Sequence, residues 1–500
     1  MLRIMLNIPS EGVVSMDETS SRLKQFIYSH IVLVTILILA AFVWSFVFLR
    51  AVSDYMMMSN WNGSGDLNLF GFTIHVEFEG WADYGYYYET WGERFLDGYT
   101  PYTEAFNNAS PDHYAPYFFP PLYLYMCALG TALPFGSFGI GLVICLFGYA
   151  TAFPIYGTAK YLSQNKRVGE ISVASYLLNP LILYHTAYEW LNPAPFVFFM
   201  MLSFYLLMKQ HRTMGTLAMV AAAMFKQTAF FLALPLVAYL IKVPPPKDDP
   251  ENDQESPEDY ELYAGDDLDV LGLLRMTIIV LVFVVIVSLP YILDIENYLY
   301  YIFVRPGTTL IDDITVVPEG NMPMTLAVLL IIAGAPEPLT QFVNLATAYS
   351  VFLFISIIIL LYLMLNEVKD DRDLRSYWRR ILYFSLLLLL CVHIFSPRGI
   401  YKYYCVALIP LVSILSSEGM MSRGKEKVRG SIMMVINPLL VTIAILVPSR
   451  YIYIGLLVLV MLSYMLYRNF GEIYGLIRES LVYDFQRLKL RLGQIKTDST

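Results

Sequence analysis

Long runs of apolar residues, separated by short polar loops, recur along the chain. The hydrocarbon core of a bilayer is about 30 Å thick, and a helix crosses it with roughly 20 apolar residues. Runs of about this length, each predicting a membrane-spanning helix, lie at 27–50, 171–188, 194–209, 271–293, 341–365, 381–396, 401–418, 431–448 and 451–467. A backbone in lipid must pair its own polar groups, so we expect helices throughout these runs.

Three regions do not fit a simple count of one membrane-spanning helix for each apolar run. Residues 117–162 and 322–366 each predict one full span plus a short or re-entrant helix. Residues 213–242 are too long for one upright span and are interrupted by Lys226-Gln227, so we expect two short helices meeting at a turn. The pattern predicts an all-α polytopic membrane protein with about 12 crossings.

Composition supports this class. Hydrophobic residues make up 57% of the 500 residues and charged residues 15%, whereas soluble domains carry roughly 25% charge. The basic residues are scattered over loops and the C-terminal tail and form no single basic face, so nucleic-acid binding is excluded.

Lysine and arginine in short loops set the orientation, because cytoplasmic loops carry more of them. Loop 51–116 holds one basic residue, Arg94, against ten acidic ones, and is predicted to lie outside. Both termini are predicted to lie in the cytoplasm. The resulting division is a cytoplasmic segment 1–26, a transmembrane module 27–242, an acidic disordered loop 243–270, a second transmembrane module 271–468 and an amphipathic cytoplasmic tail 469–500.

Loop 51–116 and the segment after it combine carboxylates with many aromatic side chains. Aromatic faces stack on sugar rings, and carboxylates accept hydrogen bonds from hydroxyls. An interfacial aromatic belt with ordinary surface acids explains the same composition equally well. The candidate side chains are Glu77, Glu79, Asp83, Tyr87, Tyr102 and Tyr117.

Three motifs in this region occur in a characteristic order. They are Asp83-Tyr-Gly-Tyr-Tyr-Tyr-Glu-Thr-Trp, Gly98-Tyr-Thr-Pro-Tyr102 and Phe119-Pro-Pro-Leu122. In order and spacing they resemble the first-loop signature of GT-C glycosyltransferases, above all the polyprenyl-phosphate mannosyltransferases. The resemblance implies a GT-C fold over about 25–420, with module 27–242 as the catalytic part.

The resemblance further implies an inverting transfer of a hexose, with mannose the first expectation. The donor would be a polyprenyl (dolichyl-type) phosphate sugar, and the acceptor a lipid-linked or surface glycan at the external face. Asp83 aligns with the family's catalytic aspartate and would accept the proton of the acceptor hydroxyl. Glu77 or Glu79 remains an alternative base or acceptor-binding group.

Cations are expected at the leaving phosphate. Arg398 and Lys402, in Ser396-Pro-Arg-Gly-Ile-Tyr-Lys-Tyr-Tyr404, lie at the external end of two predicted spans. A guanidinium and an ammonium suit a lipid phosphate, although snorkelling anchors beside a tyrosine belt would have the same pattern.

Further candidates lie in the first module and after it. Lys226 interrupts an apolar run, and an ionisable group at such a depth predicts function; its neighbour Gln227 is a candidate sugar contact. Glu189 lies in a turn where relatives carry a Gly-Gln pair, which is missing here. Arg305 is a further phosphate candidate in an external loop.

Other chemistry has weaker support. The six histidines show no paired ligand spacing, and no cofactor is expected, although a divalent cation on Glu77, Glu79 and Asp83 remains an alternative. The rival functions are a flippase for polyprenyl-linked saccharides and a glycan-binding scaffold. The expected location is the plasma membrane of a prokaryote or an ER-type membrane.

Overall fold

The chain is predominantly helical, with one two-stranded hairpin in the part that the computed structural model describes. The described residues are 28–57, 64–69, 72–77, 81, 83–108, 114–243, 269–289, 291–305, 325–365, 374–397, 399, 401–421, 427–447 and 453–460, with scattered positions between 471 and 489. The predicted segment 1–26 and most of the loop 243–270 and of the tail 469–500 lie outside them.

Among the described residues, eleven α-helices precede the acidic loop, and several of them are joined by short 3₁₀ and π-helical turns. Their bounds are α1 Ile31–Met57, α2 Thr90–Leu96, α3 Glu104–Asn107, α4 Pro121–Ala132, α5 Gly139–Ala150, α6 Ala152–Ser163, α7 Lys166–Leu177, α8 Pro180–Ile182, α9 Pro193–Met208, α10 Arg212–Phe225 and α11 Ala233–Lys242.

The described helices after the acidic loop are again interrupted by 3₁₀ and π-helical turns. Their bounds are α12 Val270–Ser288, α13 Ile295–Leu299, α14 Leu326–Ile332, α15 Glu337–Ala348, α16 Val351–Leu365, α17 Leu374–Phe395, α18 Leu408–Leu415, α19 Met433–Leu446 and α20 Tyr453–Val460.

The first loop contains a hairpin that the all-α expectation did not include. Strand β1 (Ser64–Leu69) pairs antiparallel with β2 (Phe72–Glu77), and Leu69 lies opposite Phe72. Outside the bilayer the requirement for helices does not apply. The alternation of apolar and polar residues from Phe72 to Glu77 is the ordinary signal of a strand.

The predicted span 171–188 is wrong as a single helix. Helix α7 ends at Leu177, and Asn179 caps the next turn by accepting a hydrogen bond from the Leu181 amide at 2.9 Å. Pro180 has no amide hydrogen and cannot continue the preceding helix. The chain goes on as α8 and a π-helical turn, Leu183–Tyr188.

Region 213–242 consists of two short helices, as expected. Helix α10 ends at Phe225, Lys226 has extended backbone (φ −153°, ψ 134°), and a 3₁₀ turn, Gln227–Leu232, leads into α11. The extended residue directs the Lys226 side chain into the protein and not along the helix face.

The prediction of about 12 crossings is not confirmed. Within the described residues four helical segments are long and apolar enough to span a bilayer, at 31–57, 136–163, 270–288 and 374–395. Helices α15 and α16 meet at 60° and would make a fifth span if they act together. Several predicted runs instead form apolar helices of only 10–17 residues. Several of the described helices could nevertheless span a membrane.

Helix α17 lies at the centre of the fold and is buried along nearly its whole length. At its start, the Arg379 guanidinium donates to the Leu162 carbonyl at 2.6 Å, which joins α17 to the end of α6. Elsewhere the backbones approach closely: a Cβ on Gly139 would lie 2.0 Å from the Gly130 carbonyl oxygen. The fold also places the turns near residues 83, 192, 226 and 403 next to one another.

Candidate functional site

Asp83 meets a tyrosine from the far end of the chain. It precedes the π-helical turn Tyr84–Glu89, and its Oδ2 accepts a hydrogen bond from the Tyr403 hydroxyl at 3.2 Å. Tyr403 lies in the 3₁₀ turn Lys402–Ala407, within the motif predicted to supply cations. The structure thus joins the first loop to that motif through the hydroxyl of a tyrosine.

Lys226 is buried beside Asp83. Its exposed fraction is 2%, and its ammonium group donates a hydrogen bond to the Asn192 Oδ1. The ammonium lies 3.6 Å from the centre of the Tyr404 ring and 5.1 Å from that of Tyr403. Contact with aromatic faces stabilises a desolvated cation, so Lys226 is held at the break by one amide and several rings.

Asn192 links Lys226 to the first loop. Its Nδ2 donates to the Tyr88 hydroxyl at 2.8 Å, while its Oδ1 accepts from Lys226. We call Asp83, Tyr88, Asn192, Lys226 and Tyr403 the polar cluster. Its members come from four separate stretches of chain, so only the folded protein assembles it.

Burial dominates the electrostatics of Asp83. Desolvation raises the pKa of its carboxyl, whereas the hydrogen bond from Tyr403 and the charge of Lys226 oppose that rise. Nearby Glu189 adds to it. The group is therefore less acidic than an ordinary aspartate, because its charged form is only partly compensated.

A histidine–glutamate pair borders the polar cluster. His185 Nδ1 lies 2.7 Å from Glu189 Oε2, and both side chains are buried. In the neutral imidazole with its proton on Nδ1, the carboxylate accepts that proton in a hydrogen bond and Nε2 is an acceptor. Among the described residues Nε2 has no hydrogen-bond partner. The imidazole lies 6.2 Å from the Tyr403 ring, and a hydroxyl placed between them would satisfy it.

Two predicted phosphate-binding residues lie elsewhere. The Lys402 ammonium donates to the Val447 carbonyl at 2.8 Å and lies 5.5 Å from the Tyr453 ring, so it does not join the polar cluster. The Arg305 guanidinium stacks near Phe118 and Tyr301, with centroid distances of 5.8 and 5.6 Å.

Gln227 and two of the predicted sugar-binding tyrosines donate hydrogen bonds to backbone carbonyls. Gln227 donates from Nε2 to the Phe118 carbonyl. Tyr102 and Tyr117 are fully buried, and their hydroxyls donate to the carbonyls of Phe119 and Pro120 at 2.7 and 2.6 Å.

Tyr87 contacts other rings and lies partly exposed in the π-helical turn. Its ring centre is 5.3 Å from that of Trp91 and 4.8 Å from that of Tyr86. Aromatic residues of the first loop thus pack largely on one another, which is why composition could not separate a sugar site from a hydrophobic core.

Three candidate residues cannot be placed as side chains. Glu77 ends β2, where its backbone pairs with Ser64, and Glu79 and Arg398 lie outside the described residues. In the described part of the chain no group of three His, Cys, Asp or Glu side chains could hold a metal ion.

Sequence analysis missed Tyr88, His185 and Tyr403 as members of this region. His185 lies four residues before Glu189, the spacing that brings two side chains together on one helical face. The pair Tyr403-Tyr404 follows Lys402 within the motif already selected for its cations. Both signals are present in the sequence, although the expectation of a phosphate favoured lysine and arginine as site residues.

The comparison with known families changes the functional interpretation. Residues 97–311 match the family model of the GPI transamidase subunit PIG-U. The stretch is less than half of the chain; it contains Glu189, Asn192 and Lys226 but not Asp83 or Tyr403. Among curated proteins none matches this chain.

This match contradicts the expected hexosyltransferase activity. PIG-U is a subunit of a transamidase and not a mannosyltransferase or a flippase, so both the leading function and the transporter alternative are wrong. The polyprenyl-phosphate donor has no support either. The multi-pass membrane character agrees with the family, whereas the prokaryotic plasma membrane and the orientation of the termini are not shown.

Proposed function

We propose that this chain is a non-catalytic membrane subunit of a GPI transamidase complex, located in the ER membrane. The observation that carries the proposal is the match of residues 97–311 to the PIG-U family. A transamidase joins a protein to the amine of a glycolipid anchor, so a subunit of it must work beside other proteins and beside lipid. A buried polar cluster within a multi-pass fold suits such a role.

Within that role, the polar cluster would bind the polar head of the glycolipid. Asp83 and His185 Nε2 accept hydrogen bonds from hydroxyls, and Lys226 offers a positive charge to a phosphate. The rings of Tyr404, Phe119 and Phe196 surround the Lys226 ammonium and offer apolar faces to a sugar. None of these contacts requires the chain itself to form or break a bond.

Depletion of the protein in its own cells tests the proposed function. We expect precursor proteins with an uncleaved anchor signal to accumulate, together with complete GPI lipids, while a GPI-anchored reporter disappears from the cell surface. Mass spectrometry of the lipids separates this from a defect in glycan assembly. Anchors lacking mannose would contradict the transamidase role.

A variant tests the polar cluster within the complex. Lys226→Met retains the length of the side chain but removes its charge, and we expect anchor attachment to fall at least tenfold while the tagged protein still co-purifies with the transamidase. Lys427→Met, at an exposed lysine, is the matched control and should attach anchors normally. If Lys226→Met attached anchors at the wild-type level, the polar cluster would not bind the glycolipid as proposed. If the variant no longer co-purified with the transamidase, the polar cluster would instead be needed for assembly of the complex.

A further inference from the structure

An apolar cavity of about 480 Å³ lies beside the break between α10 and α11. Its walls come from α10, the following turn, α11, α12, the segment 292–303 and Pro120. Among the described residues that line it, only Tyr298 has a polar side-chain atom, and its hydroxyl is hydrogen-bonded to that of Ser288 at 2.7 Å. The volume is within the range of ligand pockets, about 300–1,000 Å³, and walls without free polar partners do not hold ordered water.

One wall of the cavity is a helix that could span the bilayer. Helix α12 is long and apolar enough for this, and Ser288 is its one buried residue. Val284 of this helix lines the cavity, whereas its neighbour Val285 is 44% exposed and faces outwards. A hydrocarbon chain of a membrane lipid is therefore the apolar ligand that is available to this cavity.

A cation lies next to the cavity. Arg305 follows Phe303, which lines the cavity, by two residues, and its guanidinium lies 5.8 Å from the centre of the Phe118 ring. Gln227 links the residues around Arg305 to the cavity. Its Nε2 donates hydrogen bonds to the Phe118 carbonyl and, at 3.4 Å, to the carbonyl of Ile302, which lines the cavity. Aromatic contact holds the planar guanidinium in place, and its donors match a phosphate.

We propose that this cavity binds one hydrocarbon chain of a phosphate-bearing membrane lipid and that Arg305 contacts the lipid's phosphate. An apolar chain in the cavity is removed from water and from the looser packing of the bilayer, while the guanidinium fixes the depth of the head group. The proposal goes beyond the transamidase role, because a lipid held here binds whether or not the complex acts on it.

Lipid binding to the purified full-length protein in detergent tests the proposal. Native mass spectrometry would compare phosphatidic acid with two probes that each lack one half of it: diacylglycerol, which has the chains alone, and glycerol 3-phosphate, which has the phosphate alone. We expect phosphatidic acid to bind at least tenfold more tightly than diacylglycerol, and glycerol 3-phosphate not to bind. Equal affinity for the two lipids, or binding of glycerol 3-phosphate alone, would overturn the proposal.

Two substitutions at neighbouring residues test whether the hydrocarbon chain of the lipid lies in the cavity. Val284→Trp fills the cavity and should weaken the binding of phosphatidic acid at least tenfold, whereas Val285→Trp, on the outer face of the same helix, should leave it unchanged. Equal binding by both variants would place the lipid elsewhere. Should Val284→Trp fail to give a monodisperse protein, the smaller change Ala223→Leu on the opposite wall replaces it, with the same two outcomes.

Arg305 has its own test. Arg305→Gln should abolish most of the preference for phosphatidic acid over diacylglycerol, and Arg305→Lys should retain part of it because the charge remains. A preference that survives Arg305→Gln would show that the phosphate is bound by another group and would overturn this assignment. The readout is binding alone, so its result is independent of anchor attachment and of the proposed function.

Discussion

The Tyr403 hydroxyl donates a hydrogen bond to the Asp83 carboxylate across 320 positions of the chain. This contact connects two distant parts of the chain at the polar cluster, because Asp83 belongs to the first loop and Tyr403 to the turn before α18. Neither residue lies within the stretch that matches the family, yet both contact or approach Lys226, which does. The polar cluster therefore depends on parts of the chain on both sides of residues 97–311.

Removing this hydrogen bond should destabilise the protein. Tyr403→Phe deletes the donor and leaves the ring, and a hydrogen bond to a charged group contributes roughly 1.5–3 kcal/mol. We expect the free energy of unfolding, measured in mixed micelles, to fall by about that amount. The same substitution in an Asp83→Asn background should cost about half as much or less, since the acceptor is then neutral. Equal costs in the two backgrounds would contradict a charge-assisted bond.

Lys226 should be needed chiefly because Asp83 is nearby. Lys226→Met removes the amine that lies near the Asp83 carboxyl, and removing one partner of a buried charged pair costs roughly 3–5 kcal/mol. The double variant Lys226→Met with Asp83→Asn removes both charges and should recover much of that loss. Unfolding measurements on the wild type, both single variants and the double variant give the coupling. Strictly additive losses would show that the two groups do not interact.

The stability of the protein should depend on pH through Asp83. Burial raises the pKa of this carboxyl above its ordinary value of 3.8. Such a group stabilises the fold fully below the unfolded pKa, and that contribution is lost as the pH rises through the folded pKa. We expect the stability of the wild type relative to Asp83→Asn to decline from about pH 4 upwards and then to level off. Thermal unfolding of both proteins over a pH series measures this relative stability. If the wild type became more stable relative to Asp83→Asn as the pH rises, the raised pKa of Asp83 would be contradicted.

Hydrophobic patterning predicted the class of fold but not the number of crossings. The runs 27–50 and 271–293 correspond to α1 and α12, although α12 ends at Ser288, two residues before Pro290. The run 171–188 fails at Asn179-Pro180, where the side chain caps a new turn. Length and hydropathy report the affinity of a segment for lipid, whereas a cap or a proline decides where the helix itself ends.

The motif that suggested a glycosyltransferase serves the fold of the first loop. Tyr102 and Tyr117 bond their hydroxyls to the carbonyls of Phe119 and Pro120, so the tyrosines and the prolines after them build one turn together. A motif that builds a turn does not by itself specify a reaction. Long-range partners such as Asp83 and Tyr403 could not be predicted, because no local periodicity links residues so far apart.

Arg94, the single basic residue of the predicted external loop, should be a structural residue. Its Nη1 donates to the carbonyls of Phe106 and Asn107 at 2.8 and 2.9 Å, and the side chain is buried. Arg94→Lys retains the charge but loses the planar fork, so we expect it to cost roughly 2–3 kcal/mol and to rescue little compared with Arg94→Met. Unfolding measurements on the two variants check this, and a fully stable Arg94→Lys would show that charge alone suffices.

The crossing of α4 and α5 should tolerate no side chain at Gly139. A Cβ there would lie 2.0 Å from the Gly130 carbonyl oxygen, a backbone atom that cannot swing away. Gly139→Ala must therefore separate the two helices, and overpacking of this kind typically costs about 1–3 kcal/mol. Gly455→Ala is the matched control, since its new Cβ would meet only Leu329 side-chain atoms at 3.6 Å. Replacing a helical glycine by alanine without a clash favours the helix by up to about 1 kcal/mol, so the control should unfold at the same temperature as the wild type or slightly higher. If both variants lost stability equally, the loss could not be assigned to the close approach of α4 and α5.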